Sequence, residues 1–257
     1  MSWDRNIIVK SQTELELMRE AGRVNALALN SVREMVRPGV STAELDAMAE
    51  EVIRKHGGIP VFKGYPGAYP YPATLTISIN EELVHGIPTS KRKLKEGDIV
   101  SIDCGTQLEG YVGDSAFTMG VGEISTQAQR LLDVTEKSLY VGIQKMRAGN
   151  RIGDVSSAVQ RYVESHGFYV TREYTGHGVG REMHEGPQVP NYGTPGRGLV
   201  LRAGMTIALE PMVLVGTART QVLPDQWTVV SADHSLTAHF EHTVAVTEDE
   251  PLILTLP

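Results

Sequence analysis

Two stretches of this 257-residue chain follow one pattern: RPGVSTAELDAMAEEVIRKHG (37–57) and RAGNRIGDVSSAVQRYVESHG (147–167) align without a gap at an offset of 110. They share Arg and Gly at one end, His and Gly at the other, and apolar positions between. Each reads as an amphipathic helix. In the first, a capping box from Ser41 to Glu44 opens the helix, Leu45, Met48, Val52 and Ile53 keep the helical period, and Gly57 ends it. Each follows another amphipathic helix. The first of these is expected from about Thr13, with a Thr13–Glu16 capping box, to Val36, and the second from about Thr126 to Met146. The strands repeat too. LKEGDIVSID (94–103) matches LRAGMTIALE (201–210) at an offset of 107, which sets Asp103 against Glu210. GDSAFTMGVGE matches FEHTVAVTED more loosely and sets Asp114 against Glu241. An insertion containing VLPDQW separates Glu210 from Glu241. The chain therefore reads as α/β, a single domain over 1–257 made of two helix-helix-sheet halves, about 10–123 and 124–250. Each half is expected to place two carboxylates at strand ends.

IVSIDCGTQLEGYVGDSA (99–116) is expected to form a hairpin turning at Leu108 and Glu109, with Asp103 directly opposite Asp114. Like charges repel across a ladder, and Asp is depleted from strands. Three arrangements stay open for this pair taken alone: exposure to solvent, a shared proton, or a cation between them. Two halves related by a pseudo-two-fold axis would bring all four carboxylates to the centre. That arrangement is strongly unfavourable without cations and accounted for with them.

A net charge of −7 and a pI near 5.6 argue against a strongly basic nucleic-acid surface. The start MSWDRNIIVK has no long apolar run, so neither a secretory signal nor a membrane span is expected. Cys104 is the only cysteine, which rules out an internal disulfide and fits a reducing cytoplasm. Its expected role is that of a small buried hydrophobe.

Of eight histidines, His56 and His166 each precede a glycine at a helix C-terminus and read as structural. His234 lies in a polar stretch. EYTGHGVGREMHEGP differs: Gly176, Gly178 and Gly180 bracket His177 and permit close backbone approach, and His184 follows seven residues on. This spacing excludes an HExxH zinc-protease helix. His85, in EELVHGIP, occupies the corresponding strand region of the first half. One histidine with four carboxylates suits Mn, Fe, Co or Zn better than a thiolate-selected metal. Two divalent ions balance four carboxylates, and such a pair can turn a shared water into hydroxide at neutral pH.

GHGVGREMHE, the aspartate pair of IDCGTQLEGYVGD, ALEP and AHFEHTVAV together resemble the type I methionine aminopeptidase family. AGRVNALAL, RPGVSTAELD, SINEELVHGIP and PQVPNY carry the resemblance over nearly the whole chain. It implies the pita-bread α/β fold around a dinuclear centre of Co, Mn, Fe or Zn. It also implies removal of the initiator methionine from nascent proteins whose second residue is small, by attack of a hydroxide bridging the ions. On this resemblance Asp103 binds one ion, Asp114 and Glu241 bridge both, and His177 and Glu210 complete the other shell. Glu210 is also the proposed general base. His85 and His184 contact the substrate near the scissile amide, and Tyr65 and Trp227 line the pocket for the methionine side chain. The implied partner is a peptide or nascent-chain N-terminus starting with Met, met at the ribosome in the cytoplasm by a monomer that touches no membrane and no nucleic acid directly. The chain's own Met1-Ser2 start would suit as substrate.

Three departures bear on pocket shape. Met183 stands where the family often has Phe, His239 where many bacterial members have Gln, and the link GAYPYPA (67–73) is longer than usual and reads as an ordered rim loop. On a strand, His239 shares a face with Glu241, with pocket lining as its expected role. No large helical insert marks the second half as type II, and no zinc-finger or proline-rich extension is expected before the core. Three alternatives remain: an X-Pro aminopeptidase or prolidase, a non-catalytic binding module that kept the fold, and, on the chemistry alone, a hydrolase of non-peptide substrates such as phosphoesters.

Overall fold

The computed structural model describes residues 7–257; the first six residues, including the Met1-Ser2 start, lie outside the described part. The first half supplies helices α1 (Gln12–Met35) and α2 (Thr42–Lys55) and strands β1 (Ile59–Pro60), β2 (Leu75–Ile79), β3 (Glu82–Val84), β4 (Ile99–Leu108) and β5 (Tyr111–Gly120). Helices α3 (Thr126–Ile143) and α4 (Ile152–Ser165) then open the second half, followed by β6 (Tyr169–Val170), β7 (Thr175–Gly178), β8 (Glu185–Pro190) and β9 (Thr206–Leu209). The rest is β10 (Met212–Leu214), β11 (Thr220–Val222), β12 (Val229–Ser231), β13 (Thr237–His239), β14 (Glu241–Ala245) and β15 (Leu252–Ile253).

The repeated segments fold alike. Helices α2 and α4 are both 14 residues long and start 110 residues apart. Each ends in a histidine whose ring Nδ1 meets the carbonyl four residues back, His56 with Val52 at 2.9 Å and His166 with Tyr162 at 2.7 Å. The Ser41–Glu44 capping box is present, but α1 opens earlier than its sequence suggested. Its box runs from Ser11 to Glu14, not from Thr13 to Glu16. Both pairs satisfy the box pattern, and in the earlier one Glu14 also accepts from the Tyr111 hydroxyl at 2.8 Å. Helix α3 closes at Ile143, three residues short of expectation.

The main sheet runs β1-β4-β5-β14-β9-β7-β8, with β2 on β4 and β15 on β14. All its pairings are antiparallel. Helix α1 packs over β4 and β5, α2 over α1, β1 and β2, and α3–α4 over the second half. One continuous core joins them through Leu45, Ile53, Ile77, Ile102, Leu131 and Leu139. Cys104 is fully buried within it, and burial pushes its thiol pKa up. Helix α1 approaches β5 so closely that a Cβ on Gly113 would lie 2.6 Å from the Gly22 Cα. One turn on, buried Asn25 donates through Nδ2 to the carbonyls of Cys104 (2.5 Å) and Gly113 (2.7 Å). A single side chain thus fastens both strands of the hairpin beside their aspartates.

The hairpin turns one residue later than its sequence suggested. Glu109 (φ 49°) and Gly110 (φ 81°) form a two-residue turn with both central residues at positive φ, the turn that matches strand twist. Asp103 consequently faces Ala116, and Asp114 faces Gly105. The partner shift is two residues, so the face is preserved and the aspartates become diagonal neighbours. They also sit in mid-strand, not at strand ends.

Candidate metal centre

The main sheet carries its acids in two adjacent rows of one face. In the first, Asp103 pairs with Ala116, which pairs with Glu241; Glu210 directly follows β9, one step beyond the Leu209–His242 pair, and so comes up beside Glu241. The second row is offset by two residues and therefore points the same way. It holds Asp114 opposite Gly105, and Ala208 between Thr243 and His177. Ala116, Gly105 and Ala208 stand among these polar residues, and their small size leaves space above the sheet for whatever the acids bind.

Atoms of Asp114, His177 and Glu241 lie within 4.8 Å of one another, as the ligands of one ion would. His177 Nε2 is 3.6 Å from both Asp114 Oδ2 and Glu210 Oε1. Its other nitrogen, Nδ1, sits 2.9 Å from the Gly178 carbonyl, which aims the Nε2 lone pair at the acids. Asp103 Oδ1, Asp114 Oδ1 and Glu241 Oε1 are buried without a hydrogen-bond partner. Burial raises the carboxyl pKa values of Asp103, Asp114, Glu210 and Glu241 well above the ordinary range, and for Asp103, Asp114 and Glu241 the neighbouring acids push further. Burial also depresses His177 to about 3, with His184 adding to the effect. Without cations this cluster resists ionisation more than free carboxyl groups do. Buried oxygens left unpaired around a neutral imidazole fit divalent metal ions.

The centre opens into a cavity of about 320 Å³. All nine residues singled out from the sequence line it: Asp103, Asp114, His177, Glu210, Glu241, His85, His184, Tyr65 and Trp227. His85 leaves β3 at φ 62°, a strained conformation for a side-chain-bearing residue. The next residue must be glycine, because a Cβ at Gly86 would lie 2.2 Å from the Ile77 carbonyl oxygen. His184 meets Tyr65, with Oη 2.7 Å from Nδ1, and its ring centroid lies 4.2 Å from that of His177. Burial lowers both His85 and His184 to about 4, with His239 and His184 adding to the shift at His85. They stand as neutral imidazoles at neutral pH.

The insertion between Glu210 and Glu241 has a structural role. Asp225 Oδ1 accepts from the backbone amides of Trp227 and Thr228, and this turn delivers Trp227 to the cavity. Phe62, Tyr71, Tyr174 and Met212 also line the cavity and were not singled out from the sequence. Tyr174 carried a signal as part of the EYTGHGVGREMHEGP stretch, and Tyr71 as part of the 67–73 link. That link is ordered: the Tyr71 hydroxyl lies 2.9 Å from the Leu75 and Gly86 carbonyls, and its ring lies edge-on to Trp227 at 5.1 Å. Met183 and His239 line the cavity as well.

Residues 16–248 match metallopeptidase family M24. A methionine aminopeptidase from Clostridium acetobutylicum is 52% identical over 250 residues, covering 97% of this chain and 99% of that protein. Methionine aminopeptidase 1 of Bacillus subtilis is likewise 52% identical, over 249 residues and with the same coverage. The crystal structure of methionine aminopeptidase from Thermotoga maritima superposes with a TM-score of 0.95 at 47% identity, over 98% of this chain and all of that one. Prolidase from Pyrococcus furiosus gives a TM-score of 0.79 at 22% identity, a likeness of fold alone, and this chain spans 66% of its length. The sheet, its two helix pairs and the centre between them are the pita-bread α/β fold, and the chain belongs to metallopeptidase family M24, on its methionine aminopeptidase branch.

Proposed function

We propose that this protein is a two-metal aminopeptidase that removes an N-terminal methionine followed by a small residue. The observation that carries the reading is the convergence of Asp103, Asp114, His177, Glu210 and Glu241 at the floor of an aromatic-walled cavity, with carboxylate oxygens buried and unpartnered. On this reading Asp103, Asp114, His177, Glu210 and Glu241 would together hold the two ions. Bound there, the two ions supply Lewis acidity: they polarise a carbonyl and bring the pKa of water to about 7. The protein does the rest. Glu210 accepts the proton of the attacking water. His85 and His184, neutral at working pH, donate N–H to the scissile amide and to the oxyanion as it develops. Phe62, Tyr65, Tyr71, Met183 and Trp227 form an apolar wall suited to a thioether.

The names of the relatives support methionine as the first residue. The alternative of an X-Pro peptidase rests on fold likeness to longer chains. Two halves, about 10–123 and 124–250, give the centre its ligands from both sides within a single catalytic domain. The natural substrate on this reading is a nascent chain at the ribosome in the cytoplasm, met by a monomer. Among the described residues no helix is long and apolar enough to cross a membrane.

The test is anaerobic reconstitution with Mn, Fe, Co and Zn separately, followed by assay on Met-Ala-Ser and on a Gly-Pro peptide. Methionine should leave the first, and Glu210→Gln should lower kcat by about 10²–10⁴-fold. Cleavage of the proline peptide alone would move the protein to the X-Pro class. Inactivity with every ion would make it a binding module.

A further inference from the structure

His239 closes β13, and its ring lies in the same cavity as the five acidic-centre residues. Its backbone is fixed from both sides by Thr118: Oγ1 accepts from the His239 amide at 2.9 Å and donates to its carbonyl at 2.8 Å. The strand pairs Met212 with His239, which sets the direction of its Cα–Cβ bond toward the cavity. Only 2% of the residue is exposed, and Nε2 is buried with no hydrogen-bond partner. That atom stands 3.5 Å from Glu210 Oε2 and 3.8 Å from Glu241 Oε2. Both separations are too long for a hydrogen bond. They fall near the spacing of two atoms that share one ion, about 3.0–3.5 Å for metal–ligand bonds of about 2.0–2.2 Å.

Glu210 provides an internal comparison. Its Oε1 lies 3.6 Å from His177 Nε2, and its Oε2 lies 3.5 Å from His239 Nε2. The carboxylate is flanked by two imidazoles at nearly equal distance, and one of them is a ligand on the reading above.

We propose that His239 is a further ligand of this centre, its Nε2 binding the ion held by Glu210 and His177. The inference rests on the two-metal reading. A second imidazole makes the centre less purely oxygen-based, and so favours Fe, Co and Zn over Mn. The side chain would then decide which metal this enzyme carries.

The ligands can be counted without any activity assay. Full-length protein stripped of metal is given one equivalent of manganese(II), uptake is followed by calorimetry, and electron spin echo modulation counts the nitrogens coupled to the ion. Two imidazole nitrogens are expected in the unaltered protein, and one in each of His239→Gln and His177→Gln. His239→Gln should also weaken cobalt(II) and zinc(II) binding by about tenfold or more while weakening manganese(II) binding less. Uptake with fewer than two nitrogens in the unaltered protein would overturn the assignment of His239 and leave the centre itself standing. No uptake at all would overturn both. Because the first count needs no substitution, a variant that fails to fold does not spoil the test.

Discussion

The Tyr65 hydroxyl reaches across the cavity mouth to His184 Nδ1 at 2.7 Å, and the two rings meet edge-on with centroids 5.2 Å apart. With the Tyr65 hydroxyl donating to Nδ1, Nε2 carries the hydrogen, which is the form that can polarise an amide. Tyr65→Phe keeps the apolar wall and removes the hydroxyl. We expect kcat to fall about tenfold as the ring loses its orientation, with KM and metal affinity nearly unchanged. Steady-state kinetics on Met-Ala-Ser, with metal titration alongside, checks this. A large rise in KM would instead make Tyr65 a wall residue only.

The β4–β5 hairpin is the element that carries both aspartates, and α1 holds it in place. Asn25 donates to a carbonyl on each strand, next to Asp103 at Cys104 and next to Asp114 at Gly113. Asn25→Ala leaves two buried carbonyls short of a donor. The expected cost is about 2–4 kcal/mol in urea unfolding, together with weaker metal binding because the aspartates lose their fixed separation. The same element shows where sequence reading reaches its limit. The face shared by Asp103 and Asp114 follows from strand parity. Their diagonal placement depends on the turn taking Glu109 and Gly110 at positive φ, and the neighbouring pair Leu108 and Glu109 looked equally usable by composition. The start of α1 is ambiguous for a similar reason, since Ser11–Glu14 and Thr13–Glu16 both satisfy the capping pattern, and the contact of Glu14 with Tyr111 exists only in the folded chain.

At the scale of the whole molecule, the centre joins metal content to stability. In metal-free protein the four acids have pKa values raised above those of the unfolded chain. Their contribution to folding is therefore fully present below about pH 4, the ordinary carboxylate range. It is lost as pH climbs toward and through the raised values. Divalent ions bind the ionised form and reverse that loss, so metal stabilises more at high pH than at low. With free ion about 100-fold above Kd the gain is about 2.7 kcal/mol, or roughly 5–10 °C in Tm for a chain of this size. Thermal unfolding with and without manganese should show a difference that shrinks from pH 8 to pH 5.5. A difference independent of pH would mean that the acids do not bind the ion in their ionised form.

By itself the sequence determined the elements, the repeat and the residue types at the centre. Helix period, glycine stops and the 110-residue offset are local properties, and carboxylates placed within apolar strands are legible wherever they occur. Only the tertiary structure decided which atoms meet. Tyr71 and Met212 entered the cavity wall because distant strands brought them there. His239 came within 3.5 Å of Glu210 because β13 pairs with β10 and is fastened to Thr118. Periodicity specifies the face on which a side chain lies, whereas its distance to a partner on another strand is set by register and packing, which the whole chain fixes at once.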